Sequence, residues 1–306
     1  MPELTALEFF SGIGAFAQAA RKNNVQVVAA FDQNESANEA YYHNFGLRPF
    51  SSNLDTVKPD QLPDASLWWM SPPCTPFSVR GSRKDDEDPR ARSFIHLIDL
   101  AATIRPDIVA IENVMGFSGS RVEAYLHASL QAHGYHFRSL DLCPTAFGVP
   151  MRRPRRFVLI AKHPLEVTEP VNSSVRSKLI SFLFANDSAL YLPEATMRRY
   201  GQGFDIVDWD EDDATLICFT KNYERCMKAS GSLIRTKSGV RRISPEEILG
   251  LLGFDQEYEF PPHLSRNICW RLAGNSVDVR AIQHILQSVG HSLFHDNETR
   301  AGSKPW

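Results

Sequence analysis

Apolar residues in the first half of the chain fall into short blocks, and the stretches between them carry helical spacing. Leu4–Phe10, Val27–Phe31, Leu67–Met70, Asp107–Ile111 and Phe157–Ala161 read as strands, with His136–Leu142 a further one. Ala15 to Asn23, Ser36 to Asn44 and Arg121 to His133 read as helices. A stripe of Phe94, Leu97, Ile98, Ala101 and Ile104 predicts another helix, capped by Ser93 and stopped by Pro106. Strand and helix therefore alternate, which predicts an α/β fold with ligands at the carboxyl ends of its strands. Later in the chain, Ser244-Pro245-Glu246-Glu247 opens a helix with proline at its first position. Val279, Ile282, Ile285, Leu286 and Val289 stripe the last helix, and residues 297–306 lack apolar periodicity and are expected to be a loose tail.

The predicted strand ends carry the chemistry. Leu67–Met70 runs into Ser71-Pro72-Pro73-Cys74-Thr75-Pro76, where prolines stop the ladder and stiffen the backbone around a thiol. That setting suits a nucleophile; a structural cysteine in a proline-rich turn is the plain alternative. The polar stretch from Val79 to Arg92, with Lys84-Asp85-Asp86-Glu87-Asp88, reads as a lid or a solvated charge run. Glu112-Asn113-Val114 follows four apolar residues, so the Glu112 carboxyl is expected to hold its proton unless paired.

The first strand runs into Ser11-Gly12-Ile13-Gly14, which suits a ligand at a helix N-terminus or a tight turn. No third glycine follows at dinucleotide spacing. Asp32 ends the second strand, where a ribose diol is held, or where a helix is capped. Asn53-Leu54-Asp55 is placed to reach an adenine edge. Together these features suggest an adenosine-containing cofactor without a pyrophosphate, and S-adenosylmethionine fits. Arg153 and Arg155 alternate along an extended stretch, so both are expected to point into one cleft, where guanidinium forks suit phosphates and base carbonyls.

Composition narrows the class only modestly. The chain has 306 residues, enough for one large domain or two modest ones, with 43% hydrophobic and 23% charged residues, as in soluble globular proteins. A formal charge of −3 carries no general nucleic-acid signature. A nucleic-acid partner must therefore meet a local patch such as Arg152-Arg153-Pro154-Arg155-Arg156, Arg198-Arg199, or Lys237 with Arg241-Arg242. Cys74, Cys143, Cys218, Cys226 and Cys269 form neither a zinc pattern nor a disulfide framework, which points to a reducing compartment and no metal. No signal pattern or long apolar run is present, so no membrane partner is expected.

Taken in order, Phe10-Ser11-Gly12-Ile13-Gly14, Asp32, Pro72-Pro73-Cys74, Glu112-Asn113-Val114, Arg153 with Arg155, Arg242-Ile243-Ser244-Pro245-Glu246 and Gly274-Asn275-Ser276-Val277 resemble the motifs of the cytosine-5 methyltransferases of DNA and RNA. The resemblance spans about residues 4 to 290. Cys218-Phe219-Thr220-Lys221-Asn222-Tyr223, Ser93-Phe94-Ile95-His96 and Phe147-Gly148-Val149-Pro150 look like the branch that modifies a cytosine in the anticodon loop of tRNA, of the tRNA-Asp type. Three positions depart from the family pattern. Met151 stands where glutamine is usual, Gln33 where many DNA enzymes carry an adenine-stacking aromatic, and Thr75 where glutamine is common.

The resemblance implies an α/β, Rossmann-like methyltransferase fold: a mixed sheet flanked by helices, with a small inserted target-recognition domain. Residues 1–164 would hold cofactor and nucleophile, 165–240 the recognition domain, and 241–296 a return segment. Cys74 would attack C6 of the cytosine, protonated Glu112 would donate to ring N3, Arg155 would reach the base carbonyl, and Arg153 would support the site or a phosphate. S-adenosylmethionine, leaving as S-adenosylhomocysteine, would rest on Phe10, Gly12, Ile13 and Gly14, with Asp32 and Gln33 at the ribose. Asn53 and Leu54 would lie near the adenine, and Pro72, Asn275 and Ser276 would complete the pocket. Pro73, Asn113, Thr220, Lys221 and Tyr223 would contact the substrate; Cys218 reads as a small core residue or strand member. A monomer acting on tRNA, with DNA a weaker partner, is expected in the cytoplasm, and also the nucleus in a eukaryote. The competing readings are a restriction–modification DNA methyltransferase and a catalytically silent nucleic-acid binder.

Overall fold

The computed structural model describes residues 4–78, 84–170, 173, 175–226 and 228–289. The expected tail and the start of the charged loop, 79–83, lie outside the described residues. The chain begins β1 (Leu4–Phe9), α1 (Ala15–Arg21), β2 (Val25–Phe31), α2 (Glu35–Phe45), β3 (Leu67–Met70), α3 (Arg92–Ile104), β4 (Ile108–Asn113), α4 (Arg121–Gln131) and β5 (His136–Leu142). Two more strands follow, β6 (Met151–Arg152) and β7 (Arg155–Ala161). The central sheet runs β2-β1-β3-β4-β7-β5. Its first four strands are parallel, and β7 lies antiparallel between β4 and β5.

Consecutive side chains of a strand face opposite layers, and the paired tryptophans of β3 show it. Trp69 stacks on Phe16 of α1 at 5.0 Å, while Trp68 meets Phe9 at 5.1 Å on the other face. The Trp69 layer holds α1 and the helix 279–289, through Phe16, Ile282 and Ile285. The Trp68 layer holds α3 and α4, through Phe94, Leu97, Val122 and Leu126. Both faces of the sheet are covered, so β4 is buried along its whole length and carries Glu112 and Asn113 inward.

The remaining elements are α5 (Glu194–Tyr200), β8 (Ile206–Asp208), β9 (Leu216–Ile217), β10 (Leu233–Thr236), β11 (Gly239–Arg241), α6 (Pro245–Leu251) and α7 (Arg266–Asn275), then the helix 279–289. They form a three-stranded sheet β11-β10-β8 and a short pair β6-β9. Leu179, Leu190, Phe219 and Leu233 share one core with Phe16 and Ile282, so the inserted segment is packed onto the large layer. A buried pair ties this junction together. The Glu247 carboxylate accepts from Arg241 at 2.8 Å and from the backbone N–H groups of Phe184 and Ala185 at 2.9 Å.

Two local expectations are corrected. Ser93 does not cap α3: Ala91 holds the cap position, and Ser93 sits in the first turn with its hydroxyl on the Asp55 carboxylate. Asp32 does not cap α2, because Asn34 does so by accepting from Ala37 N–H. No helix of the described residues is long and apolar enough to cross a membrane.

Candidate active site

The carboxyl ends of β1, β2, β3 and β4 meet at one edge of the sheet, and β7 begins there because it runs the opposite way. Cys74 follows β3 and is exposed. Its loop is braced from below: the Asn113 amide donates to the Pro72 carbonyl at 3.1 Å, and Ser71 N–H donates to the Phe9 carbonyl at 3.2 Å. Asn113 is 1% exposed and its amide is committed to this loop, so it is a brace and not the substrate contact expected. Pro72 is buried and Pro73 half-buried. Gly116 adds a close approach, since a Cβ there would sit 2.3 Å from the Phe77 carbonyl oxygen.

Glu112 lies beside this loop, 6% exposed, with Arg155 Nε 3.1 Å from its carboxyl oxygen. Burial pushes its carboxyl above the usual carboxylate range, and the charges of Arg155 and Arg153 only partly pull it back. Arg155 also lies within electrostatic range of Cys74, so thiol, carboxyl and guanidinium are brought together.

The two arginines do not share a role, which corrects the expectation that both face the cleft. Arg153 is 4% exposed and spans three chain segments. Its Nη1 donates to the Phe219 carbonyl at 2.6 Å and to Cys218 Sγ at 2.9 Å. Its Nη2 donates to the Gly274 carbonyl at 3.2 Å and to the Ser276 carbonyl. A guanidinium so committed has no fork left for a phosphate or a base. The reason is burial: carbonyls with no water nearby need donors, and Arg153 supplies several.

Cys218 reads from the sequence as a small core residue or strand member, and its sulfur sits between both guanidiniums, 3.9 Å from Arg155 Nη2. Burial pushes its thiol up, and the two arginines more than offset this, leaving it below the usual thiol range. The only signal in the sequence was its place in the Cys-Phe-Thr motif. Thr220 is half-buried and Lys221 exposed, but Tyr223 is corrected as a substrate contact. Its side chain is fully buried; its hydroxyl donates to the Ser232 carbonyl and accepts from Ile243 N–H.

At β1 and β2 the glycine turn has space above it. Gly12 adopts φ +53° with nothing within 4 Å of a Cβ placed there, and Phe10 takes the left-handed φ of 57°. Asp32 closes the turn by accepting from Gly12 N–H and Asn34 N–H, each at 2.8 Å. A carboxylate has about four acceptor positions, and with Gln33 N–H also acting on it, capacity remains for a ribose hydroxyl. Ser11 Oγ and Ser276 Oγ are buried without hydrogen-bond partners. An open glycine turn, a carboxylate with acceptor capacity left and two orphaned hydroxyls fit a polar, nucleoside-bearing cofactor. Ile13 and Leu54 face the core, Gly14 is filled against Tyr41 and Phe45, and Gln33, Asn53 and Asn275 are exposed.

Comparison with known proteins identifies the family. The model of the C-5 cytosine-specific DNA methylases matches residues 4–195 and 186–291, and the chain belongs to that family. It is thus a cytosine-5 methyltransferase with the methyltransferase fold. It is 30% identical to a DNA (cytosine-5)-methyltransferase of Dictyostelium discoideum, covering 94% of each chain. It is 27% identical to a tRNA (cytosine(38)-C(5))-methyltransferase of Schizosaccharomyces pombe, over 92% of this chain and 96% of that one. A solved Entamoeba histolytica methyltransferase superposes with a TM-score of 0.89 at 26% identity, covering 96% and 99% of the two chains.

Proposed function

We propose that this enzyme methylates C5 of a cytosine in the anticodon loop of a tRNA, of the tRNA-Asp type, through a covalent bond between Cys74 and C6. The juxtaposition of Cys74, Glu112 and Arg155 carries the chemistry. Cytosine C5 is a weak nucleophile, and thiolate addition at C6 makes the ring electron-rich enough to be alkylated there. Cys74 is the exposed thiol of the site, with the Arg155 guanidinium within electrostatic range. Glu112, its carboxyl held neutral more readily by burial, donates its proton to N3 and so stabilises the charge that addition creates. Arg155 faces the base carbonyl. S-adenosylmethionine, which the glycine turn and Asp32 would hold, would supply the methyl group and leave as S-adenosylhomocysteine. Loss of the C5 proton to a base then breaks the C6–S bond and releases the Cys74 thiolate, and N3 returns its proton to Glu112.

The choice of RNA is supported by the Cys-Phe-Thr motif, whose Cys218 and Phe219 are bound directly by Arg153, and by relatives named for cytosine 38 of tRNA. A target base in an unpaired loop is also cheaper to splay out than one in a duplex. The second reading, methylation of DNA, is favoured by the Dictyostelium relative's name.

The test is methyl transfer from labelled S-adenosylmethionine to total tRNA and to duplex DNA in parallel, with bisulfite sequencing of the product. Label on one tRNA cytosine, lost in Cys74→Ala, is expected; label on DNA alone would sink the RNA assignment.

A further inference from the structure

We propose that Phe50 is the platform on which the cofactor's adenine stacks, an inference that rests on the cofactor reading above. Phe50 is stitched to the end of β2: its N–H donates to the Ala30 carbonyl at 2.8 Å, and its carbonyl accepts from Asp32 N–H at 3.2 Å. The isolated bridge between Phe31 and Phe50 sets the two rings side by side, 5.4 Å apart and 30° from parallel. Phe31 stacks in turn on Phe9 at 5.1 Å and 14°, and Phe9 meets Trp68 at 5.1 Å. The column thus starts in the core and ends on Phe50, which is 53% exposed.

A large ring left half in water forgoes much of the stabilisation that its burial would give. Its position offers a use for that surface. Asp32 has acceptor capacity left for a ribose hydroxyl, and a backbone hydrogen bond joins Asp32 to Phe50. A base attached to that ribose comes within reach of the ring. Flat heteroaromatic bases stack on aromatic side chains, and a ring held by a second ring is already oriented to receive one.

The other candidates for the adenine are less suited. Leu54 is 2% exposed and turned into the layer with Phe31 and Trp68. The Asn53 side chain accepts from Asp55 N–H at 3.0 Å. Gln33, next to Asp32, presents an exposed amide and no ring. Phe50 therefore supplies from a neighbouring segment the aromatic surface that position 33 lacks.

Isothermal titration of S-adenosylhomocysteine tests this directly. Phe50→Ala should raise its Kd about tenfold, the scale of one lost base–aromatic stack, while Tyr42→Ala, which removes another exposed ring, leaves it unchanged. The thermal midpoint of ligand-free Phe50→Ala should stay within a few degrees of wild type, which separates stacking from folding. Phe50→Trp should bind as wild type does and add an emission, seen as the difference from the parent spectrum, that the ligand quenches. An unchanged Kd in Phe50→Ala, or no ligand response from the added indole, overturns the proposal while wild-type binding keeps the cofactor reading. Failure of wild type to bind the ligand at all overturns both.

Discussion

Two buried carboxyls show how surroundings set a residue's behaviour. Glu8 is 1% exposed on β1, accepts a hydrogen bond from the Tyr41 hydroxyl at 2.8 Å and lies near Asp32. Burial outweighs that hydrogen bond, pushing Glu8 from 4.5 to about 8. The folded chain therefore holds a proton that the unfolded chain releases above about pH 4.5. By linkage this stability is fully present below 4.5 and is lost as pH rises through about 8. Glu8→Gln should flatten that decline, measured as urea midpoints at several pH values across the window. Glu112 is raised for the same reason, and in the proposed mechanism it is the proton donor to the base. Glu112→Gln should lower methyl transfer roughly 100-fold or more while S-adenosylhomocysteine still binds. The sequence pointed to Cys74 and Glu112 because each follows an apolar block. Alternation alone could not separate Arg153 from Arg155, since it gives a direction and not what a side chain meets there; only the family resemblance gave them different roles.

Between elements, the decisive contact joins α7 to the Cys-Phe-Thr segment. A Cβ on Gly274 would lie 2.4 Å from the Thr220 carbonyl oxygen and 2.9 Å from Lys221 N, both backbone atoms. Gly274→Ala should therefore cost about 1–3 kcal/mol of stability and displace Thr220 and Lys221, lowering methyl transfer beyond what the stability loss explains. Denaturation and single-turnover methylation on one preparation check this. Arg153 holds the same junction through the carbonyls of Phe219, Gly274 and Ser276. Arg153→Lys keeps the charge but loses the fork, so it should lower the thermal midpoint and weaken S-adenosylhomocysteine binding. Helices with clear apolar stripes were legible almost to their ends. The cap of α3 was not, because the rule for a capping serine knows nothing of Asp55 beside it.

Across the whole molecule, the return segment completes the large layer. Tyr258 donates to the Ile13 carbonyl at 2.8 Å beneath the glycine turn, and Ile282, Ile285 and Val289 lie in the core that holds Phe16 and Leu159. A chain cut after residue 164 should lack a cooperative thermal transition, checked by circular dichroism, because that face of the sheet would stand uncovered. The sequence by itself determined the alternation of strand and helix, the positions of the thiol and carboxyl at strand ends, and the family. Those depend on local periodicity and on spacing within single segments. Only the tertiary structure decided that Arg153 is a clamp, that Tyr223 is core, that Cys218 lies between two guanidiniums and that Phe50 stands beside Asp32. Each of these depends on which distant segment comes to rest against the residue, and burial and pairing there fix its charge, its hydrogen bonds and its access to a ligand.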